Sequence, residues 1–343
     1  MKKLIALMLA ALLVLGLAAC GETATTTEPA ATETTEPAET AEPAAPAEEG
    51  KTYKVGICQL VQHDALDAAT QGFRDALTEA LGDAVEFDEQ NAQGDSPTCA
   101  TIVTGFVANN YDLIMANATP ALQAAVSATT DIPVLGTSVT DFATALNMDF
   151  AAADGTGINV SGTSDGVPGQ LYADLVNELV PDAQKVSVLY CSAEPNSVVQ
   201  AEDFIPCMEA YGAACEVFTF ADSNDLQSVA NAAIAACDAL YIPTDNVAAS
   251  NMTIIRNVCE PAGIPVICGE ENMCGAGGLA TVSISYYDIG HVCGEMAVQI
   301  LTEGADITTM PIGYASDPVK EYNADYAAAI GFEMPEGFKA IGE

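Results

Sequence analysis

Tryptophan is absent from the 343 residues, histidine occurs twice, and nine Lys and Arg stand against 48 Asp and Glu. Each shortage excludes something. A formal net charge of -39 argues against nucleic acid and anionic lipid surfaces as partners, because clustered cations hold both. Two histidines and no Cys-x-x-Cys spacing leave a zinc site without its usual donors, so no metal or other cofactor is expected. Neither a Gly-x-Ser-x-Gly elbow nor a P-loop occurs, so two common catalytic frameworks are missing. What remains is strongly apolar: 50% of the chain is hydrophobic. That suffices for large cores despite the charge, and the length suits about two domains or lobes.

The first fifty residues read as an address and a tether. Lys2 and Lys3 precede an apolar run from Leu4, broken by Gly16, so residues 1–19 have the form of a secretory signal peptide. The run is shorter than the ~20 residues of a bilayer span. The sequence Leu17-Ala18-Ala19-Cys20-Gly21 resembles the lipobox of bacterial lipoproteins. That resemblance implies lipidation at Cys20 and a membrane anchor on the extracytoplasmic face. From Gly21 to Gly50 the chain is almost entirely Glu, Thr, Ala and Pro. Such a segment has nothing to bury, and residues 20–50 are expected to be a disordered spacer.

Beyond Lys51, short apolar runs alternate with segments of helical spacing. Strands are expected at Tyr53–Gln59, Val85–Asp88, Asp112–Ala116 and Ile132–Leu135, with helices over Ala65–Leu81, Thr98–Asn109 and Ala121–Ala128. The alternation restarts after about Val160. Helices Gly169–Leu179, Val198–Tyr211, Asp225–Ala236 and Ala248–Cys259 alternate with strands Lys185–Tyr190, Cys215–Phe220, Ala239–Ile242 and Pro265–Cys268. Strand Leu279–Ser285 and helix Ile289–Leu301 follow, and Gly275–Gly278 reads as a turn. The expected fold is α/β, with two doubly wound parallel-sheet lobes. The lobes are assigned to 51–160 with 286–310, and to 161–285 with 311–343.

Ligands of open parallel sheets sit beyond the carboxyl ends of the strands. Here those ends are small and polar: Gln59, Ala118-Thr119-Pro120, Gly136-Thr137-Ser138, Ser192, Pro243-Thr244-Asp245-Asn246 and Glu270-Glu271. Each alone reads as an ordinary helix cap. Six together favour a ligand site.

Several of these stretches resemble one family. Gly56-Ile57-Cys58-Gln59 followed by His63-Asp64-Ala65-Leu66-Asp67-Ala68-Ala69, then Gln90-Asn91-Ala92-Gln93-Gly94-Asp95 and Ala118-Thr119-Pro120-Ala121, are similar to its motifs. So are Asn159–Asp165, Pro243–Asn246 and Ser285–Gly290. The family is that of ABC-transporter substrate-binding lipoproteins of the tryptophan/phenylalanine type. The resemblance covers about residues 53–310. It implies a type I periplasmic-binding fold whose lobes, joined by three crossings, close on a small ligand, most simply an amino acid. It also implies ABC permease and ATPase subunits as partners of a monomeric receptor, with no catalytic step. Asp64 departs from the family, which often has Pro there, and Asp141–Gly157 is longer and richer in alanine.

An amino acid presents a carboxylate, an ammonium and a side chain. Thr119, Thr137 and Ser138 are assigned to the carboxylate. Asp245 is assigned to the ammonium, with Asn246 beside it and Glu270 or Glu271 in reserve, since a buried cation requires a partner. Ser164 and Asp165 follow the first crossing, Asn196 offers an amide, and Gln59 closes the floor. Phe142, Tyr190 and Tyr286 are candidates for stacking on an aromatic ligand, each set against a plain core role. His63 is either a helix-start cap or a ligand contact, and His291 a packing or surface residue. Ten cysteines besides Cys20 leave disulfides open, Cys207–Cys215 and Cys268–Cys274 first. A sugar or nucleoside is the alternative ligand, although sugar sites commonly stack on Trp. A ligand-sensing or adhesion lipoprotein without a transporter keeps the fold. A two-cysteine racemase using Cys58 and Cys191 lacks the Asn-Thr that such enzymes carry after each cysteine.

Overall fold

Only Lys54 of β1 (Tyr53–Gln59) is exposed, because the strand runs through the interior of a sheet. The structure is a computed structural model describing residues 50–342, apart from Ala236, Ala315 and Ser316. The signal segment, Cys20 and nearly all of the spacer lie outside the described residues. After β1 come α1 (Asp64–Leu81), β2 (Val85–Asn91), α2 (Ser96–Ala108) and β3 (Leu113–Asn117). Then follow α3 (Thr119–Ala128), β4 (Val134–Val139), α4 (Phe142–Leu146) and β5 (Val160–Ser164). The five strands pair in parallel in the order β5-β4-β3-β1-β2.

The second lobe repeats the pattern with α5 (Gly169–Leu179), β6 (Lys185–Cys191), α6 (Pro195–Ala210), β7 (Ala214–Phe220) and α7 (Ser223–Ile234). It continues with β8 (Ala239–Ile242), α8 (Asn246–Ser250), α9 (Met252–Ala262), β9 (Val266–Cys268), α10 (Glu271–Gly277) and β10 (Ala280–Ser283). Its strand order, β10-β9-β8-β6-β7, is that of the first lobe. The chain returns through α11 (Tyr286–Val298) and β11 (Gly313–Tyr314), which pairs with β5. It ends in the second sheet with β12 (Val319–Tyr322), antiparallel to β10, then α12 (Ala324–Ile330) and β13 (Lys339–Ala340). Three crossings therefore join two doubly wound lobes: after Ser164, after Ser283 and after Tyr314.

The lobe boundaries assigned from sequence fall a few residues inside this frame, since β5 and β11 both belong to the first sheet. β5 was not read as a strand because Val-Ser-Gly-Thr-Ser is small and polar. Its hydroxyls are spent inside the core: Ser161 Oγ donates to Met310 O at 2.9 Å, and Thr163 Oγ1 to Ile289 O at 3.0 Å. The expected turn at Gly275–Gly278 is instead the end of α10, with Gly278 as its cap. The expected helix Ala248–Cys259 breaks at Asn251 into α8 and α9. Strand β4 extends to Val139, so Thr137 and Ser138 lie within it.

Alternation along the first sheet builds a core on each face. Val55, Ile57, Leu113 and Met115 pack on one side, and Cys58, Ile114 and Ala116 on the other. Helix α11 seals the former face by direct backbone contact with α1. A Cβ at Gly72 would meet Tyr287 O at 2.1 Å, and one at Gly290 would meet Ala69 O at 2.0 Å. Side chains at those two positions would force the helices apart. Among the described residues no helix is long and apolar enough to cross a membrane.

Candidate functional site

Both sheets direct their carboxyl ends into the cleft between the lobes. On the first wall, Gln59 is a brace rather than an open floor. Its Nε2 donates to Asp67 Oδ1 at 2.6 Å and Val61 O at 2.9 Å, and its Oε1 accepts from Thr70 Oγ1 at 2.6 Å. Asn117 extends the brace by donating to Thr70 Oγ1 and Leu66 O. Beyond β3 the backbone turns at Ala118, whose φ is 91°, and α3 starts at Thr119. Ser138 in β4 has a φ of 55°. Positive φ at two buried non-glycine residues is strained backbone of the kind concentrated at ligand sites. Thr137 Oγ1 donates to Thr163 Oγ1 at 3.0 Å, since the Thr163 proton goes to Ile289 O, and Thr137 is fully buried.

The hydroxyls of Thr119 and Ser138 are different: both are buried and neither meets a protein partner. Three more such atoms stand at the cleft, namely Asp165 Oδ1 at the hinge, Asn196 Oδ1 in the first turn of α6, and His63 Nδ1 just before α1. Buried polar atoms without partners are rare in folded proteins and carry a cost. Five at one cleft define a set of groups built to meet something else. The chemistry is divided, with hydroxyls and the start of α3 on the first wall and two acceptor oxygens at the hinge and second wall. Asp165 is held by Tyr286, whose hydroxyl donates to Oδ2 at 2.7 Å, and burial raises its pKa. Ser164 turns away to Thr140 O at 3.0 Å.

The second wall departs from the assignment made from sequence. Asp245 caps α8, accepting from Ala248 N at 2.8 Å, and its other oxygen accepts from Cys191 N at 2.7 Å and Ser197 Oγ at 2.8 Å. A carboxylate so occupied is scaffold. Glu270 is likewise spent on Asn272 N and Met273 N, at 2.6 Å each, and burial pushes its pKa up to about 7. Glu271 follows as the first residue of α10, its N–H donating to Ser283 Oγ.

Sequence reasoning missed Glu194. It is 3% exposed and accepts from Asn246 N at 3.0 Å, Asn246 Nδ2 at 2.6 Å and Val247 N at 2.9 Å. Burial and the nearby Asp245 charge push it up to about 8. Its one sequence signal was a position before Pro195 at a strand-to-helix turn, which reads as a loop. Asn196 donates to Thr244 O at 2.8 Å and is thereby oriented across the wall.

Among the described residues, two hydrogen bonds join the lobes directly across the cleft. His63 Nε2 lies 3.1 Å from Asn246 Oδ1, and Gln200 Nε2 donates to Thr140 Oγ1 at 3.0 Å. His63 thus occupies a cap position without capping its helix. The cleft opens through a mouth of about 240 Å³, where Leu60, Val61 and Pro120 face Ala193, Glu194 and Val247. Of the aromatic candidates, Phe142 packs under Gly136 and Tyr190 in the core of the second lobe, while Tyr286 braces the hinge.

The cysteines do no visible chemistry. The ten within the described residues are free thiols, including the two pairs singled out as the first to test, Cys207–Cys215 and Cys268–Cys274. Cys207 Sγ donates back along its own helix to Asp203 O. Cys58 lies in the first core, and Cys191 is pushed up to about 11 by burial, so neither is poised as a thiolate. Among the described residues, no group of three or more potential ligands is placed to hold a metal ion.

Comparison with known proteins follows the same lines. The profile of the family described as ABC transporter substrate binding protein matches residues 54–339. A protein described as tyrosine-binding, from Clostridioides difficile strain R20291, is 35% identical over 286 residues, covering 82% of each chain. An ABC domain from Streptococcus pneumonia solved in complex with L-Trp is 32% identical, with a TM-score of 0.80, covering 85% of this chain and 100% of that one. A ligand-free, open substrate-binding protein with adhesive properties from Clostridium difficile is 36% identical over 84% of this chain and 99% of that one. Its TM-score is only 0.65. The lobes here are therefore arranged more like the ligand-bound relative, despite the open one's higher identity.

Proposed function

Because the chain belongs to the family of ABC transporter substrate-binding proteins, we propose that it is an extracytoplasmic receptor whose lobes close on an aromatic amino acid. The observation that carries this reading is the division of the unpartnered atoms. Thr119 Oγ1 and Ser138 Oγ, with the start of α3, suit a carboxylate; Asp165 Oδ1 and Asn196 Oδ1 suit an ammonium. Asp165 replaces Asp245 in that role, because its second oxygen is free and Asp245 has none. The mouth is mixed, and its apolar members Leu60, Val61, Pro120 and Val247, set beside Ser96, Asp222, Ser223 and Asn251, are compatible with an aromatic side chain that carries a polar group. Relatives described as tyrosine-binding and as an L-Trp complex support an aromatic one.

On this reading Cys20 carries the lipid anchor, the spacer holds the body off the membrane, and closure presents the ligand to a permease and its ATPase. Binding works as a population shift, since only the closed state brings Asp165, Asn196 and Thr119 to one ligand. A thermal-shift screen of the mature chain against amino acids, sugars and nucleosides tests it. Stabilisation by aromatic amino acids alone is expected. Stabilisation by a sugar or nucleoside, with none by any amino acid, would reject it.

A further inference from the structure

We infer that Glu194, acting through Asn246, fixes His63 with its proton on Nε2, so that Nδ1 offers a lone pair to a donor on the ligand side chain. This rests on the amino-acid reading of the cleft and deepens it to side-chain selectivity.

The argument is one of donors and acceptors. Burial and the Asp245 charge push the Glu194 pKa up to about 8, so above about pH 8 it is an ionised carboxylate, which only accepts. Glu194 Oε2 receives both Asn246 N and Asn246 Nδ2, and its other oxygen receives Val247 N. A further N–H, Asn196 Nδ2, stands 3.3 Å from Oε2. Every hydrogen-bond partner of the Glu194 carboxylate is thus a donor, and with that carboxylate ionised the amide of Asn246 has only one satisfying orientation. Its carbonyl oxygen must face the other lobe, where His63 Nε2 lies at 3.1 Å. A carbonyl cannot donate, so Nε2 carries the proton. In a neutral ring Nδ1 is then an acceptor, and Nδ1 is buried with no protein partner. Burial lowers the His63 pKa, outweighing the carboxylates of Asp64 and Asp67, so the ring is neutral at neutral pH. Glu270 lines the same edge of the cleft as His63, with its oxygens already committed to α10.

The consequence is selectivity. A phenol hydroxyl or indole N–H satisfies Nδ1, whereas a phenyl ring leaves a buried acceptor unpaired. A site built to hydrogen-bond a polar group rejects the analogue lacking it far more strongly than a size mismatch would. Glu194 acts as a positioning residue, two hydrogen bonds away from His63 and three from the ligand donor.

The chain has two histidines, so nitrogen NMR of histidine-labelled protein resolves the point directly. His291, between Glu79 and Glu295 on the helix surface, is the internal reference. Above pH 8, with and without L-tyrosine, His63 is expected to show a protonated Nε2 and an unprotonated Nδ1. Glu194→Gln, whose amide allows Asn246 to turn over, should mix the two tautomers. Calorimetry at the same pH, above 8, should give L-tyrosine or L-tryptophan at least about tenfold tighter binding than L-phenylalanine. That preference should shrink in Glu194→Gln and vanish in His63→Leu, with the fold checked by circular dichroism. A ring protonated at Nδ1, an unchanged tautomer in Glu194→Gln, or L-phenylalanine binding as tightly as L-tyrosine would overturn the proposal. If no amino acid binds, the amino-acid reading fails instead, and the tautomer is still decided in the free protein.

Discussion

The two walls of the cleft use matching strand ends for opposite purposes. β3 and β4 of the first lobe correspond in sheet order to β8 and β9 of the second. The first pair presents Thr119 and Ser138, neutral hydroxyls left unspent. The second pair leads to Asp245 and Glu270, carboxylates wholly spent within the protein, Glu270 on the start of α10 and Asp245 on the start of α8, Cys191 N and Ser197 Oγ. A buried hydroxyl can wait for a ligand at modest cost. A buried carboxylate is far costlier to leave bare and is therefore stabilised by backbone N–H groups. Near a ligand site, free lone pairs identify a binding acid better than charge does. By that standard Asp165 qualifies and Asp245 does not.

The largest expected effect comes from the second wall's acids. Glu194 and Glu270 have pKa values raised from 4.5 to about 8 and about 7. Between pH 4.5 and 8 the folded protein therefore holds more protons than the unfolded chain, and its stability falls as pH rises. This stabilising contribution is complete below about pH 4.5 and gone above about pH 8, and it amounts to a few kcal/mol. Urea unfolding across that window should show it, and a Glu194→Gln/Glu270→Gln variant should flatten it. Midpoints that do not move in the wild type would contradict the assignment.

Asp165→Asn comes next. It removes the only free carboxylate oxygen proposed for the ammonium, and about 3 kcal/mol, or over a hundredfold in affinity, should be lost. Under the same calorimetry, Asp245→Asn should leave affinity within about threefold while lowering stability by about 1 kcal/mol. The reverse ranking would erase the contrast between the walls. Thr119→Ala and Ser138→Ala should each weaken binding about tenfold with little change in melting temperature. Smallest of all, Phe142→Leu should cost under about 1.5 kcal/mol of stability and leave affinity alone. A large loss of affinity there would return Phe142 to the site.

The sequence carried the fold further than the site. β1, α5 and β8 were read to the residue, because short β-branched runs and helical spacing are local signals. β5 escaped because its strand character comes from neighbours: Ser161 and Thr163 are satisfied only once α11 and the following chain have returned. At the site, Gln59, Thr119, Ser138, Asp165 and Asn196 could be named as cleft candidates from sequence, yet their roles were not separable. An aspartate that caps a helix and one that awaits a ligand look identical in sequence. The role of Glu194 depends on contacts 52 residues away and the His63 clasp on one across 183 residues of chain, which no local pattern encodes.

The most direct test of the account is calorimetry of the mature chain with L-tyrosine beside two truncated analogues, one lacking the carboxylate and one lacking the amine. Both walls and the hinge are required for closure, so L-tyrosine should bind one to one and each analogue should lose at least about a hundredfold. Equal binding of either analogue, or heat from a sugar with none from any amino acid, would contradict it.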